Sequence, residues 1–317
     1  MKQLWCAVSL LAGSLMYSSV APAQSPSGAL LQQMEQASQS LSYELAYINV
    51  SRVGIDSLRY RHAVIDKKVY AQLLQMDGPR REIIQRGNEI SYFEPGLEPF
   101  TMTGNHIVDS LPALVYADFK QLADNYDFVS VGRTRVADQL CEVIRIVSRD
   151  GTRYSYVVWL DSDTKMPLRI DLLDRDGETL EQYRVVSFAV DSGVNKLMEN
   201  LKTAELPPLL SVPAGSKAAF NWKAGWLPAG MKEVAQSRRQ IPSLSGPVES
   251  RLYSDGLFSF SVNVTLADKN GTSHLLRTGR RTVQTEIRNN AEITVVGELP
   301  PVTAKHVADS IILGTTP

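Results

Sequence analysis

The residues best able to do chemistry are few and scattered. Four histidines, His62, His106, His274 and His306, could ligate a metal or move a proton, but no two stand four apart on one helical face. The two cysteines, Cys6 and Cys141, form no Cys-x-x-Cys pair. No Gly-x-Ser-x-Gly elbow offers a serine to a base. No Walker loop or Gly-x-Gly-x-x-Gly turn offers its amides to a phosphate. The acidic clusters Asp161-Ser162-Asp163 and Asp174-Arg175-Asp176 miss the ligand spacing of a calcium loop and fall where turns are expected. These absences argue against an enzyme, a resident metal and a cofactor.

Binding chemistry is better represented. Arg238, Arg239, Arg251, Arg277, Arg280 and Arg281 cluster in the last third of the chain. Their planar guanidinium forks can grip a carboxylate or phosphate bidentately, although a plain solvated face has the same composition. The middle of the chain is rich in strands that are apolar on both sides. Tyr154, Tyr156, Val158 and Leu160 alternate with Val157 and Trp159, and Tyr183, Val185, Phe188 and Val190 are placed on both sides of a later strand. A sheet apolar on both faces must cover the second face, with helices or with a ligand. A hydrophobic groove for an acyl chain therefore has Phe93, Leu114, Tyr156, Trp159 and Phe188 as its candidate lining, with covering helices over residues 28–41 and 111–119 as the alternative.

The elements that must carry these residues follow from periodicity. Met1-Lys2, the apolar run from Leu4 to Met16, and Ala21-Pro22-Ala23 before Gln24 have the layout of a secretory signal peptide. Its removal leaves Cys141 as a lone cysteine in the apolar run Leu140-Cys141-Glu142-Val143-Ile144, a buried thiol rather than a nucleophile. No later stretch reaches ~18 uninterrupted apolar residues, so no transmembrane segment is expected. Ser27 is the expected cap of an amphipathic helix bearing Leu30, Leu31, Met34, Ala37 and Leu41. Strand-like runs then alternate with turn pairs, including Asp150-Gly151 and Asp176-Gly177, which point to an antiparallel meander through type I′ hairpins. Helices are expected near residues 110–120, with Pro112 in the first turn, and over 194–204.

The uncharged stretch Leu206-Pro207-Pro208-Leu209-Leu210-Ser211-Val212-Pro213 breaks regular structure and marks a linker over 206–216. It divides the chain into a signal peptide (1–23), a larger N-terminal domain (24–205) and a small C-terminal domain (217–317). In the latter, Phe258, Phe260, Val262 and Val264 share one strand face, Asp255-Gly256 and Asn289-Asn290 close hairpins, and a helix over 303–312 ends an α+β domain. The formal net charge of −1 conceals a contrast, for residues 24–210 hold 20 Lys+Arg against 26 Asp+Glu and residues 211–317 hold 12 against 8. A chain so balanced, 44% hydrophobic and 21% charged, is neither disordered nor a nucleic-acid coat, so no nucleic acid is expected as partner.

Several long runs carry a resemblance. Leu73-Leu74-Gln75-Met76-Asp77-Gly78-Pro79-Arg80-Arg81-Glu82 and Glu89-Ile90-Ser91-Tyr92-Phe93-Glu94-Pro95-Gly96 are two of them. Arg149-Asp150-Gly151-Thr152-Arg153-Tyr154-Ser155-Tyr156 and Arg251-Leu252-Tyr253-Ser254-Asp255-Gly256-Leu257-Phe258 are two more. Over essentially its whole length the chain resembles the MucB/RseB family of enterobacterial periplasmic regulators. The resemblance implies a mainly β protein with α+β character. Its N-terminal domain would be an unclosed antiparallel half-barrel with helices, similar to lipoprotein carriers, followed by the smaller α+β domain. It further implies a soluble periplasmic protein that binds the periplasmic domain of the membrane-spanning anti-sigma factor RseA and shields it from site-1 proteolysis. Release would follow lipopolysaccharide or another acylated lipid or lipoprotein. A periplasmic lipoprotein or lipid carrier is the alternative, and the sequence is compatible with a homo-oligomer.

Overall fold

The computed structural model describes residues 25–314 apart from 109, 212–218, 243, 245 and 269–270. The expected signal peptide and the later part of the expected linker lie outside the described residues.

Helix α1 (Pro26–Ser40) begins one turn earlier than its apolar stripe suggests. Ser25, not Ser27, is the cap, its hydroxyl accepting from the Gly28 amide at 3.1 Å, because Pro26 fits the first helical position where its missing donor costs nothing. Strands β1 (Tyr43–Ser51), β2 (Gly54–Ile65), β3 (Lys68–Gln75), β4 (Glu82–Arg86), β5 (Glu89–Phe93) and β6 (Phe100–Thr103) then form a meander. The chain crosses over through a 3-10 turn (Ala113–Tyr116) and the short helix α2 (Phe119–Leu122). A second meander follows: β7 (Tyr126–Val136), β8 (Gln139–Ser148), β9 (Ser155–Asp161), β10 (Pro167–Leu173) and β11 (Thr179–Val190). The two join at their middle, in the order β6-β5-β4-β3-β2-β1-β11-β10-β9-β8-β7, giving an unclosed eleven-stranded antiparallel sheet.

This topology explains the inner helices. The chain leaves one outer edge at β6 and must re-enter at the opposite edge, β7, so its connection traverses the sheet's width across one face. Leu111, Leu114, Val115, Phe119 and Leu122 from that crossing are buried together with Leu31 and Met34 of α1 against Tyr43, Leu45, Tyr60, Leu73 and Ile83. One continuous helix expected over 110–120 is instead two short pieces, because Asp118 caps a fresh start, accepting from the Lys120 and Gln121 amides.

Turn chemistry differs from expectation at two places. At Asp150-Gly151 and Asp176-Gly177 only the glycine is left-handed (φ 63° and 88°), so neither loop is type I′. Both central residues are left-handed at Asp66-Lys67, Ala137-Asp138 and Asn289-Asn290. The outer face receives its own cover where helix α3 (Gly193–Met198) and a 3-10 turn (Glu199–Lys202), which together replace the helix expected over 194–204, bury Val194, Met198 and Leu201 against Ala63 and Tyr70.

The chain returns along the first sheet's edge, where Thr101 donates to Pro208 O at 2.9 Å and accepts from Leu210 at 2.7 Å. Beyond the undescribed stretch come β12 (Trp222–Ala224), β13 (Lys232–Gln240), β14 (Pro247–Ser254), β15 (Ser259–Leu266), β16 (His274–Thr278), β17 (Arg281–Arg288) and β18 (Ala291–Gly297). Helix α4 (Pro301–Asp309) and β19 (Ile311–Leu313) follow. The second sheet has the order β13-β14-β15-β18-β17-β16, and β12 pairs with β19 apart from it. The alternation read on β15 holds, with Phe260, Val262 and Val264 buried. The last helix stops at Asp309, not 312, because Ile311–Leu313 extends to pair with Trp222–Ala224.

Candidate functional site: the junction between the two sheets

The residues that join the sheets come from turns at one end of each. Arg153, between β8 and β9, is wholly buried. Its guanidinium lies 2.9 Å from Asp255 at the β14–β15 turn, binds Asp150 at 3.0 Å, donates to the Ala229 carbonyl, and covers the Tyr126 ring at 5.3 Å. Tyr126 donates to Asp255 at 2.6 Å, and Asp150 accepts from the Ala229 amide at 3.0 Å. Burial pushes the Tyr126 hydroxyl up, so it stays a donor, although Arg153 opposes this. Burial acts against ionised Asp150, but hydrogen bonds from Thr152 and Ala229, with Arg153 beside them, win and hold its carboxyl below the usual range. Tyr154 donates to Leu299 O at 3.0 Å and Thr303 to Thr152 O at 2.6 Å, closing this side of the junction.

The other side is open. A cleft of about 500 Å³ lies between the inner face of the first sheet, the 3-10 crossing and the β14–β15 turn. Leu111, Tyr156, Ile170, Leu172, Tyr183 and Phe258 give it an apolar floor, and Tyr156 stacks on Phe258 at 5.4 Å. Its charged lining is Glu181 of β11, Glu298 and Arg280. Arg280 lies 3.3 Å from Glu181 and 3.2 Å from Glu298, so one half-exposed cation serves a carboxylate from each unit. Burial raises both carboxyls above their usual range, Arg280 offsetting part of the rise. Beside the cleft, Arg277 reaches Asp174 at 3.4 Å and lies 5.7 Å over the Tyr154 ring.

The structure redistributes the candidate groove residues. Tyr156 lines the cleft. Leu114, in the crossing itself, is fully buried and does not line the cleft, and Phe188 is on the inner face opposite Leu45, farther along β11. Trp159 and Phe93 are corrections, because both point to the outer face. Trp159 pairs in register with Arg169 while its neighbours Val158 and Leu160 are buried inside, and Phe93 pairs with Glu82 while Tyr92 pairs with buried Ile83. Strand alternation therefore forbids Trp159 and Tyr156 from sharing one groove. The reading of β11 is corrected too. A bulge at Val186 shifts the register, so Tyr183, Val185, Phe188 and Val190 all face inward, opposite Asn49, Tyr47, Leu45 and Tyr43.

The six arginines do not form one patch, because β13 and β16 are opposite edges of the second sheet. Arg280 and Arg277 are at the junction, and Arg281 acts on Glu298 from the start of β17. Arg251 packs over Phe220 and Trp222, at 5.1 and 4.9 Å, and pairs with Glu233 at 2.6 Å. Arg238 pairs with Glu249 at 3.4 Å and Arg239 is exposed beside it. The sequence reading missed Arg153, Asp255, Tyr126, Glu181 and Glu298. Asp150 and Asp255 were visible only as turn residues, and nothing local separates such an aspartate from one that receives a distant arginine.

Among the described residues no group of three or more His, Cys, Asp or Glu is placed to hold a metal, and no helix is long and apolar enough to cross a membrane. Cys141 is buried on β8, and burial pushes its thiol up to about 11.

A sequence profile of the MucB/RseB N-terminal domain matches residues 26–210, and one of the MucB/RseB C-terminal domain matches residues 216–312. The chain is 64% identical over 315 residues to the Sigma-E factor regulatory protein RseB of Escherichia coli (strain K12), covering 99% of each. Two solved structures align over 92% of this chain and 100% of theirs. One is the complex of Pseudomonas aeruginosa MucA/MucB, with TM-score 0.73 and 25% identity. The other is MucB in complex with MucA(peri), with TM-score 0.71 and 27% identity.

Proposed function

The chain belongs to the MucB/RseB family, and from that premise we propose that it is a periplasmic negative regulator of a sigma-E envelope stress response. It holds the periplasmic part of the membrane-spanning anti-sigma factor RseA and keeps it from site-1 proteolysis. It lets go when lipopolysaccharide or another mislocalised acylated lipid binds. The observation that carries this reading is the 64% identity with a named sigma-E regulatory protein across 99% of both chains, which includes both sheets and the junction between them. The complexes of MucB with MucA support an anti-sigma segment as the partner.

The cleft supports the lipid step. An acyl chain would bury against Leu111, Ile170, Leu172 and Phe258, and an anionic headgroup would reach Arg280. A phosphate that recruits Arg280 competes with Glu181 across the junction, so lipid entry and the hold between the sheets draw on the same guanidinium.

The test is a protection assay. The periplasmic segment of the anti-sigma factor is exposed to the site-1 protease with and without the full chain, and with added lipopolysaccharide. The chain should prolong the segment's life at least tenfold, and lipopolysaccharide should undo this. Equal cleavage with and without the chain overturns the regulator. Delivery of a bound acylated peptide to an acceptor, without protection, favours a lipid carrier instead.

A further inference from the structure

The outer face of the first sheet bears a row of arginines that neither the cleft nor the Arg153 contacts use. Arg145 on β8, Arg169 on β10, Arg184 on β11 and Arg59 on β2 share that face, because Ile144, Ile170, Tyr183 and Tyr60 beside them are buried on the inner one. Arg169 and Arg184 are directly opposite in the β10–β11 ladder, a pairing of like charges that costs stability in a sheet. Arg169 is neutralised by Asp171, at 2.9 and 2.5 Å, and lies 4.3 Å over the Trp159 ring.

Arg184, Arg145 and Arg59 have no ion pair among the described residues. The strand carboxylates on the same face of β1, β9 and β10 are already engaged: Glu44 by Arg61, Asp161 by the Thr164 turn at 2.8 Å, and Asp171 by Arg169. Half-buried Ile48, Val157 and Trp159, with exposed Val186, lie between the guanidinium groups. This cationic face belongs to the half of the chain whose net charge is negative, so it does not follow from bulk composition.

We propose that this outer face docks an acidic polypeptide segment, one in which Asp or Glu alternates with apolar side chains, laid across the strands from Arg145 to Arg59. Five inter-strand steps of ~4.8 Å separate β8 from β2, about 24 Å, a span that seven or eight extended residues cover. The chemistry favours a polypeptide over a lipid surface. No lysine occurs in β1, β2 or β8 to β11. Every cation there is an arginine, whose fork matches a carboxylate bidentately, set beside a tryptophan as in the energetic centres of protein interfaces. A carboxylate received at Arg184 would also relieve its opposition to Arg169. This inference does not depend on the regulatory reading of the cleft.

The experiment titrates the full chain into a fluorescein-labelled peptide of six Glu-Val repeats at low salt, with phosphatidylglycerol vesicles as the second arm. The Arg59→Gln/Arg145→Gln/Arg184→Gln variant should bind the peptide at least tenfold more weakly. An Arg238→Gln/Arg239→Gln variant should stay within twofold of the unaltered chain. Should the triple variant fail to fold, Arg184→Gln alone should weaken binding about threefold. Unchanged peptide affinity in the triple or single variant overturns the proposal, and so does binding to the vesicles with none to the peptide.

Discussion

Arg153 and Arg280 each connect the two sheets through carboxylates, one sealed from water and the other at the mouth of a cleft. The Arg153 side chain has no exposed surface, stands on an aromatic ring and meets groups from both units. Arg280 keeps about a third of its side-chain surface exposed and divides itself between Glu181 and Glu298 at 3.2–3.3 Å. The first pair has already lost its hydration, so breaking it strands charge in a dry site. The second is screened, and water or an anion can replace either partner at small cost. The difference teaches that one junction can hold both a fixed joint and an exchangeable one.

The comparison can be broken most severely at Arg153. Arg153→Ala leaves Asp255 buried without its cation and should lower unfolding free energy by about 3–5 kcal/mol in a urea melt. A loss under 1 kcal/mol would show that this joint is no firmer than the mouth. Tyr126→Phe removes only the hydroxyl that donates to Asp255 and should lose roughly 1.5–3 kcal/mol, the range for a hydrogen bond to a charged group.

Arg280→Gln should change stability by less than about 1 kcal/mol, because a half-exposed pair contributes little. In the protection assay it should blunt the response to lipopolysaccharide while protection itself persists. Loss of protection in a folded Arg280→Gln protein would instead put Arg280 in the partner's binding site.

The smallest effect is a pH dependence whose sign differs between the two regions. Glu181 and Glu298 titrate above their ordinary value of 4.5 in the folded chain, so the folded state takes up their protons first. Their favourable contribution is complete below 4.5 and disappears as pH rises through the raised values. Relative to a Glu181→Gln/Glu298→Gln variant, the unaltered chain should gain stability as pH falls from neutrality toward 4.5 in paired urea melts. Asp150 is depressed below 3.8, so its contribution is present above 3.8 and vanishes as pH falls through the lowered value. An Asp150→Asn comparison should therefore stay flat from pH 7 to 5 and move only in stronger acid.

Much of the fold was legible because it is written in local patterns. The α1 stripe of Leu31 and Met34, the alternation of Phe260, Val262 and Val264, and the hairpin at Asn289-Asn290 each depend on neighbours a few residues apart. Errors arose where one residue resets the count. The bulge at Val186 turned an apparent two-sided strand into a one-sided one, and Asp118 split an apparent single helix. The candidate site was less legible. Tyr156, read as a groove residue, does line the cleft, but Trp159, three positions along, faces the other way, and composition cannot say which face receives the helices.

The sequence by itself determined the antiparallel strands, the charge contrast along the chain and, through whole-length resemblance, the family. Those are properties of residues close in the chain, or of the chain read as a string. Only the tertiary structure decided that six arginines spread over the second sheet instead of forming one patch, that Arg153 meets Asp255 a hundred residues away, and that Arg280 spans two units. The reason is the order of the strands. Pairing β1 with β11 fixes which turns reach the second sheet, and burial at that contact decides which charges must pair and which remain open to exchange.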